Sequence, residues 1–172
     1  MIILGLGTNM GDREQNLQQA LKLMTSDGDI GICQVSSIYE TAPFGVTDQP
    51  DFLNMTVSVQ TCLTPQELLH KCLAVEKEMG RIRTRHWGPR IIDIDLLFFH
   101  EVRLVSEELT LPHPEILQRA FVVIPLRDIA PTLPLANGRT ATEMAHEFER
   151  IAGQEVHRRK KVAWDSLTKC FV

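Results

Sequence analysis

The 172-residue sequence predicts an α+β sandwich with the element order β-α-β-β-α-β, and three observations carry that reading. Four short runs rich in β-branched and apolar residues, at 1–6, 30–39, 52–61 and 91–99, have the length and composition of strands. Two segments with apolar residues at helical spacing follow the first and the third of these runs. The second and third runs are joined by a loop containing Pro and Gly, with no helical stripe between them.

Taken in order, Met1 to Leu6 reads as a buried strand, and Asp12 opens a helix whose Leu17, Ala20, Leu21 and Met24 share a face. Ile30 to Tyr39 and Phe52 to Thr61 flank TAPFGVTDQPD, an irregular loop of the length that often carries function. Thr64-Pro65-Gln66-Glu67 is a capping-box start with proline at the first helical position, and Leu68, Leu69, Cys72, Val75 and Met79 carry the apolar stripe. An Arg-rich loop then leads into Ile91 to Phe99. This order resembles the ferredoxin-like sandwich, and the remainder is expected to add C-terminal strands and helices. They are a hairpin within Val102 to Leu111, a short helix at Pro114 to Arg119, an apolar strand at Phe121 to Leu126 and a helix at Thr140 to Ile151. The charge run HRRKK at 157–161 reads as a solvated helix face. One domain spanning 1–172 is expected, with a tail at 153–172 to which the sequence assigns no role.

Hydrophobic residues make up 44% of the chain, enough for a substantial core. A net charge of −4 argues against a general nucleic-acid coat, so any basic binding site must be local. No apolar stretch is long enough to span a bilayer, and Met1 to Leu6 lacks the basic start and long apolar centre of a signal peptide. A cytoplasmic protein without membrane association is therefore expected. Cys33, Cys62, Cys72 and Cys170 form no CxxC pair, so reduced, mostly buried thiols are expected in place of a disulfide framework or structural zinc.

The most informative stretch is HWGPRIIDIDLL, His86 to Leu97. On a strand Asp93 and Asp95 point the same way, ~6.6 Å apart along the backbone, while Ile92 and Ile94 take the other face. Two adjacent carboxylates repel unless a cation lies between them, and hard oxygen ligands suit Mg²⁺ carrying a polyphosphate. Arg81, Arg83, Arg85 and Arg90 lie just upstream, and arginine's planar donors match phosphate oxygens. Phe52 and Asn54 share a strand face, pairing an aromatic plate with an amide that both donates and accepts. Taken alone, Phe52 reads as core. His113 is stiffened between Pro112 and Pro114, with Arg119 and Phe121 close behind. GLGTNMG at Gly5 to Gly11 has the position of a dinucleotide fingerprint but carries Met10 where the third glycine belongs, so it reads as a tight strand-to-helix turn.

Together GLGTNMGD, SSIYETAPFGVTDQPDFLN, GRIRTRHWGPRIIDIDLL, LTLPHPEILQRAFVVIPL and DIAP, spanning about residues 1–131, resemble the 6-hydroxymethyl-7,8-dihydropterin pyrophosphokinase family of folate biosynthesis. The resemblance implies transfer of pyrophosphate from ATP to a pterin alcohol, with AMP leaving. It implies that Asp93 and Asp95 hold two Mg²⁺ ions and that Arg81 and Arg90 stabilise charge during transfer. Glu76, Arg83, Trp87, Arg90, Leu96, Thr110, His113 and Arg119 would line the ATP site. The pterin would stack between Phe52 and Phe121, with Thr41, Ala42, Phe44, Asn54 and Trp87 also around it, and loops 41–51 and 81–90 would close over the site. ATP and the pterin are the expected partners, and a monomer is expected.

The chain departs from the family at Ala42, where some relatives have proline, and at Phe52, where others have tyrosine. Leu73 and Glu108 stand where some relatives bring polar or basic side chains to ATP. Two other classes compete with this reading. The same element order builds RNA-recognition domains, but the aromatic run of those modules is absent and the net charge is negative. An ordinary kinase acting on a small alcohol would release ADP instead of AMP, and fold analogy alone does not separate the two.

Overall fold

A computed structural model describes residues 1–43, 48–81, 88–151 and 153–172. The sequence-predicted β-α-β-β-α-β core is present. β1 (Ile2–Thr8) leads into α1 (Arg13–Met24), where the Asp12 carboxylate accepts from the Gln15 N–H and so caps the helix. The predicted run over 30–39 is two strands, β2 (Ile30–Val35) and β3 (Ile38–Thr41), and both pair with β4 (Phe52–Thr61). The break falls at buried Ser36, whose hydroxyl accepts from the Thr56 N–H and stands in for a ladder bond. α2 (Pro65–Glu78) begins in the predicted Thr64/Glu67 capping box. β5 (Asp93–Phe99) completes the core.

The antiparallel sheet runs β5-β1-β4-β3, with β2 also on β4. This is the ferredoxin-like order, with β1 and β4 at its centre. One face packs Leu4, Leu6, Leu53, Met55 and Val57 against Leu17 and Leu21 of α1 and Leu68 and Val75 of α2. The other packs Ile3, Tyr39 and Leu97 against α3 (Ala120–Ile129) and α4 (Ala141–Phe148).

Four of the expected elements need correction. Residues 121–126 belong to helix α3, which accommodates Pro125: an uninterrupted apolar run is buried on nearly all sides, so its periodicity does not separate helix from strand. The helix expected over 140–151 ends at Phe148. The short helix expected over 114–119 is a single 3₁₀ turn, Ile116–Gln118. HRRKK lies largely on a strand, β8 (Val156–Lys160), which extends the sheet beyond β3; its charges suit an exposed edge. The hairpin within 102–111 is present as β6 (Leu104–Val105) and β7 (Thr110–Leu111). β9 (Trp164–Asp165) and β10 (Cys170–Phe171) form another, whose Trp164 and Phe171 pack on the α1/α2 side of the core.

All four cysteines are free, but only Cys72 is buried, against the expectation of mostly buried thiols: Cys33 sits at the irregularity of β2 and Cys62 just past the end of β4, both exposed. Among the described residues no helix is long and apolar enough to cross a membrane. Thr64→Ala, which removes one half of the α2 capping box, is expected to destabilise the fold by about 1 kcal/mol and lower Tm by roughly 2–4 °C. An unchanged melting curve would show that the box contributes nothing.

Candidate active site

The site lies on the α3 face of the sheet, at the end where β5 begins. Asp93 and Asp95 are cross-strand partners of Gly7 and Gly5 on β1, which in turn face Asn54 and Thr56 on β4. No side chain rises from β1 between the carboxylates and β4, so the two glycines floor a trough. A cavity of about 330 Å³ occupies it. Thr41, Ala42, Phe52, Asn54 and Phe121, all expected around a pterin, line this cavity; Phe44 and Trp87 lie outside the described residues. The Asn54 amide donates to Thr41 Oγ1 at 2.8 Å, which fixes the buried amide and sets its Oδ1 toward Gly7. Thr56 Oγ1, at the floor, is a buried side-chain oxygen with no hydrogen-bond partner among the described residues; a buried polar atom of this kind is completed by a water or a ligand group.

A second cavity, about 830 Å³, opens on the other side of the carboxylates. Glu76, Leu96, Thr110 and His113, which the resemblance assigns to the ATP site, line it together with Arg81; Arg83 and Trp87 lie outside the described residues. Leu73 and Glu108 also line it, and Glu108 pairs with His70 at 2.7 Å at the exposed rim. Arg90, Asp93, Asp95 and Arg119 belong to both cavities. They form the wall across which two bound molecules would meet.

Cations surround the carboxylates. Asp93 pairs with Arg81 at 2.7 Å and with Arg90, while Asp95 faces Arg119 at 3.3 Å. Burial, reinforced by the neighbouring Asp93 charge, lifts the Asp95 carboxyl well above the usual carboxylate range. A further cation beside Asp95 would therefore stabilise its ionised form. Among the described residues no group of three or more His, Cys, Asp or Glu side chains converges on a metal position. Two carboxylates are nevertheless the protein donor set that suits Mg²⁺ when substrate phosphates and water supply the remaining oxygens.

Glu76, besides lining the second cavity, has a structural role. It is 3% exposed, accepts from the Ile94 N–H at 2.7 Å and pairs with Arg81. Its carboxylate anchors the start of β5 and holds Arg81 toward Asp93. His113 Nδ1 accepts from the Glu115 N–H, and burial beside the Arg119 charge lowers its pKa, leaving a neutral ring with Nε2 as the donor.

Sequence reading missed two contributors. Asn9, 1% exposed, accepts from the Arg90 N–H through Oδ1 at 2.8 Å and donates through Nδ2 to Gln49 Oε1 and the Pro50 carbonyl. One amide thereby ties together the ends of both loops expected to cover the site. Gly7, read as part of a turn, and Gly5, where the expected strand and turn overlap, are strand residues under the cavity. The only signal was their i, i+2 spacing, which puts both on one strand face.

A family profile described as 7,8-dihydro-6-hydroxymethylpterin-pyrophosphokinase matches residues 3–131. The chain belongs to this family. It is 44% identical over 140 residues to the 2-amino-4-hydroxy-6-hydroxymethyldihydropteridine pyrophosphokinase of Methylorubrum extorquens, covering 81% of this chain and 88% of that protein. It is 45% identical over 126 residues to the Bacillus subtilis protein of the same name, covering 73% and 75%. In fold it is similar to the crystal structure of an HPPK-DHPS in complex with substrates, at a TM-score of 0.68 and 17% identity. That match covers 94% of this chain and 47% of the other. Plasmodium falciparum HPPK-DHPS gives a TM-score of 0.62 at 18% identity, over 86% of this chain and 44% of the other. The chain thus spans about half the length of these two structures.

A Cβ at Gly7 would lie 3.1 Å from Asn54 Oδ1 and project into the trough. Gly7→Ala is expected to raise the KM for hydroxymethyldihydropterin at least about fivefold while the ATP KM stays within about twofold, since small displacements of a positioning group are costly. Steady-state kinetics with each substrate varied in turn check this; equal effects on both KM values would contradict the trough assignment.

Proposed function

We propose that the two cavities divide the substrates of the family's reaction between them, the smaller taking the pterin and the larger taking ATP. The reaction itself is transfer of pyrophosphate from ATP to 6-hydroxymethyl-7,8-dihydropterin in folate biosynthesis. The observation that carries the division is the shared wall: Arg90, Asp93, Asp95 and Arg119 stand where an alcohol on one side would meet a triphosphate on the other.

In this reading Phe52 and Phe121 supply apolar surface for the flat heterocycle, and Asn54, held by Thr41, presents its carbonyl to the polar edge. Leu96 and the β7 side of the second cavity receive the nucleotide, with Thr110 and neutral His113 as hydrogen-bonding groups. Asp93 and Asp95 would hold Mg²⁺, which screens the phosphate charge and polarises the β-phosphorus toward attack. Arg81 and Arg90 would turn from Asp93 to phosphate oxygens as the site fills, since bidentate arginine suits both partners. The pterin hydroxyl attacks the β-phosphorus and gives up its proton to solvent, the bond from that phosphorus to the α,β-bridging oxygen breaks, and AMP leaves with that oxygen. No protein nucleophile is needed, so the chain's work is positioning and charge stabilisation. Arg83, Trp87 and Phe44 keep the roles that the resemblance implies, as proposals. We further propose that the chain works as a cytoplasmic monomer.

Incubation with ATP, Mg²⁺ and the pterin is expected to yield one AMP per pterin consumed, and none when EDTA removes the metal. Asp95→Ala is expected to lower kcat by at least about a thousandfold with the fold retained by circular dichroism, since it deletes charge and no core volume. Near-parental turnover in that variant, or full activity in EDTA, would overturn the metal assignment.

A further inference from the structure

Arg119 and Phe121 face the site from the N-terminus of α3, on either side of Ala120. The Arg119 guanidinium lies 5.7 Å from the Phe121 ring centroid. The residue at the helix N-cap, Arg119, makes no side-chain capping bond. The Ala120 N–H donates instead to Gln154 Oε1 at 3.0 Å. Gln154 follows α4 and lies beyond residue 131, where the family match ends.

The segment that brings Gln154 there is held independently of this bond. β8 pairs with β3 with Val156 opposite Thr41, and Arg159 pairs with Glu40 at 3.0 Å. Val156 packs against the same apolar cluster as Phe121. Between Phe121, Thr41 and Gln154 remains a cavity of only about 40 Å³, room for one water. The backbone on which Phe121 sits is thus fixed from behind by a residue of the C-terminal segment.

We propose that Gln154 is a positioning residue for the pterin pocket: by holding the Ala120 N–H it sets the first turn of α3 and with it the Phe121 ring. The proposal rests on assigning the 330 Å³ cavity to the pterin. A helix's first N–H groups have no partner within the helix, so loss of this acceptor loosens the turn that carries Phe121. Arg119 is less affected, because Glu115 and Asp95 hold its guanidinium separately. The consequence falls on the pterin more than on ATP.

The test is steady-state kinetics on the full chain, with KM for each substrate measured in the parent, Gln154→Ala, Gln154→Glu, Phe121→Ala and the Gln154→Ala/Phe121→Ala double variant. Gln154→Ala is expected to raise the pterin KM about fivefold and leave the ATP KM within about twofold, the scale of one lost capping bond. Gln154→Glu keeps an acceptor oxygen and adds a charge that suits a helix N-terminus, so it is expected to stay near the parent. On the Phe121→Ala background the effect of Gln154→Ala is expected to vanish. A pterin KM unchanged by Gln154→Ala but raised by Phe121→Ala would overturn the role of Gln154 alone. No effect of Phe121→Ala on the pterin KM would overturn the cavity assignment. Equal impairment by Ala and Glu, or equal shifts in both KM values, would reduce Gln154 to general stability and overturn the proposal. If Gln154→Ala does not fold, Gln154→Met, which keeps the length without a strong acceptor, is judged by the same outcomes; failure of both to fold beside an active Gln154→Glu also overturns it.

Discussion

Two carboxylates on one face of a strand must be compensated, and around Asp93 and Asp95 most of the site is arranged to do this. Three arginines from three places in the chain converge on them: Arg81 after α2, Arg90 before β5 and Arg119 at the start of α3. Each arginine is itself steered. Glu76 holds Arg81, Asn9 holds the backbone of Arg90, and Glu115 pairs with Arg119. The compensation is incomplete at Asp95, whose carboxyl stays biased toward its protonated form by burial and by Asp93. A site left short of positive charge in this way favours an incoming cation, and a polyphosphate that brings one supplies the remaining oxygen ligands.

The other constraint is space. β1 lies between β4 and β5 at the centre of the sheet, where an alternating strand would normally place side chains on both faces. It does so on the α1/α2 side, with Ile2, Leu4 and Leu6 buried there. On the opposite side Ile3 is followed by Gly5 and Gly7, so the packed half of that face ends where the trough begins. The same strand thus supplies core along its length and a floor for the ligand at one end. α3 closes the trough from above, and its position depends on β3 as well: the Tyr39 hydroxyl and the Ser37 N–H both donate to Asp128 near the helix's C-terminal end.

Much of this was legible in the sequence because it follows from short-range rules. The Thr64/Glu67 capping box, the helical stripes of α1 and α2 and the period-2 placement of Asp93 and Asp95 all appear in the structure where the residue pattern puts them. What escaped depends on long-range partners. Nothing local distinguishes Val122 to Leu126 as helix, because a segment buried on all sides shows no polar face. HRRKK looks like a solvated helix face until β3 offers it an edge. The importance of Asn9 comes from residues 40 and more positions away, and Glu76 takes its role from the Ile94 N–H, which only the packing of α2 on β5 brings near.

The proposed chemistry requires that Asp93 and Asp95 bind the metal together. The most direct measurement is the stoichiometry of Mn²⁺, as a paramagnetic substitute for Mg²⁺, bound in the presence of an ATP analogue whose α,β-bridging oxygen is replaced by a methylene. Electron paramagnetic resonance should count two ions per chain in the parent and lose at least one in both Asp93→Asn and Asp95→Asn. Two ions retained at parental affinity in either variant would contradict the account, because the charge around which the arginines are arranged would then not be holding the metal.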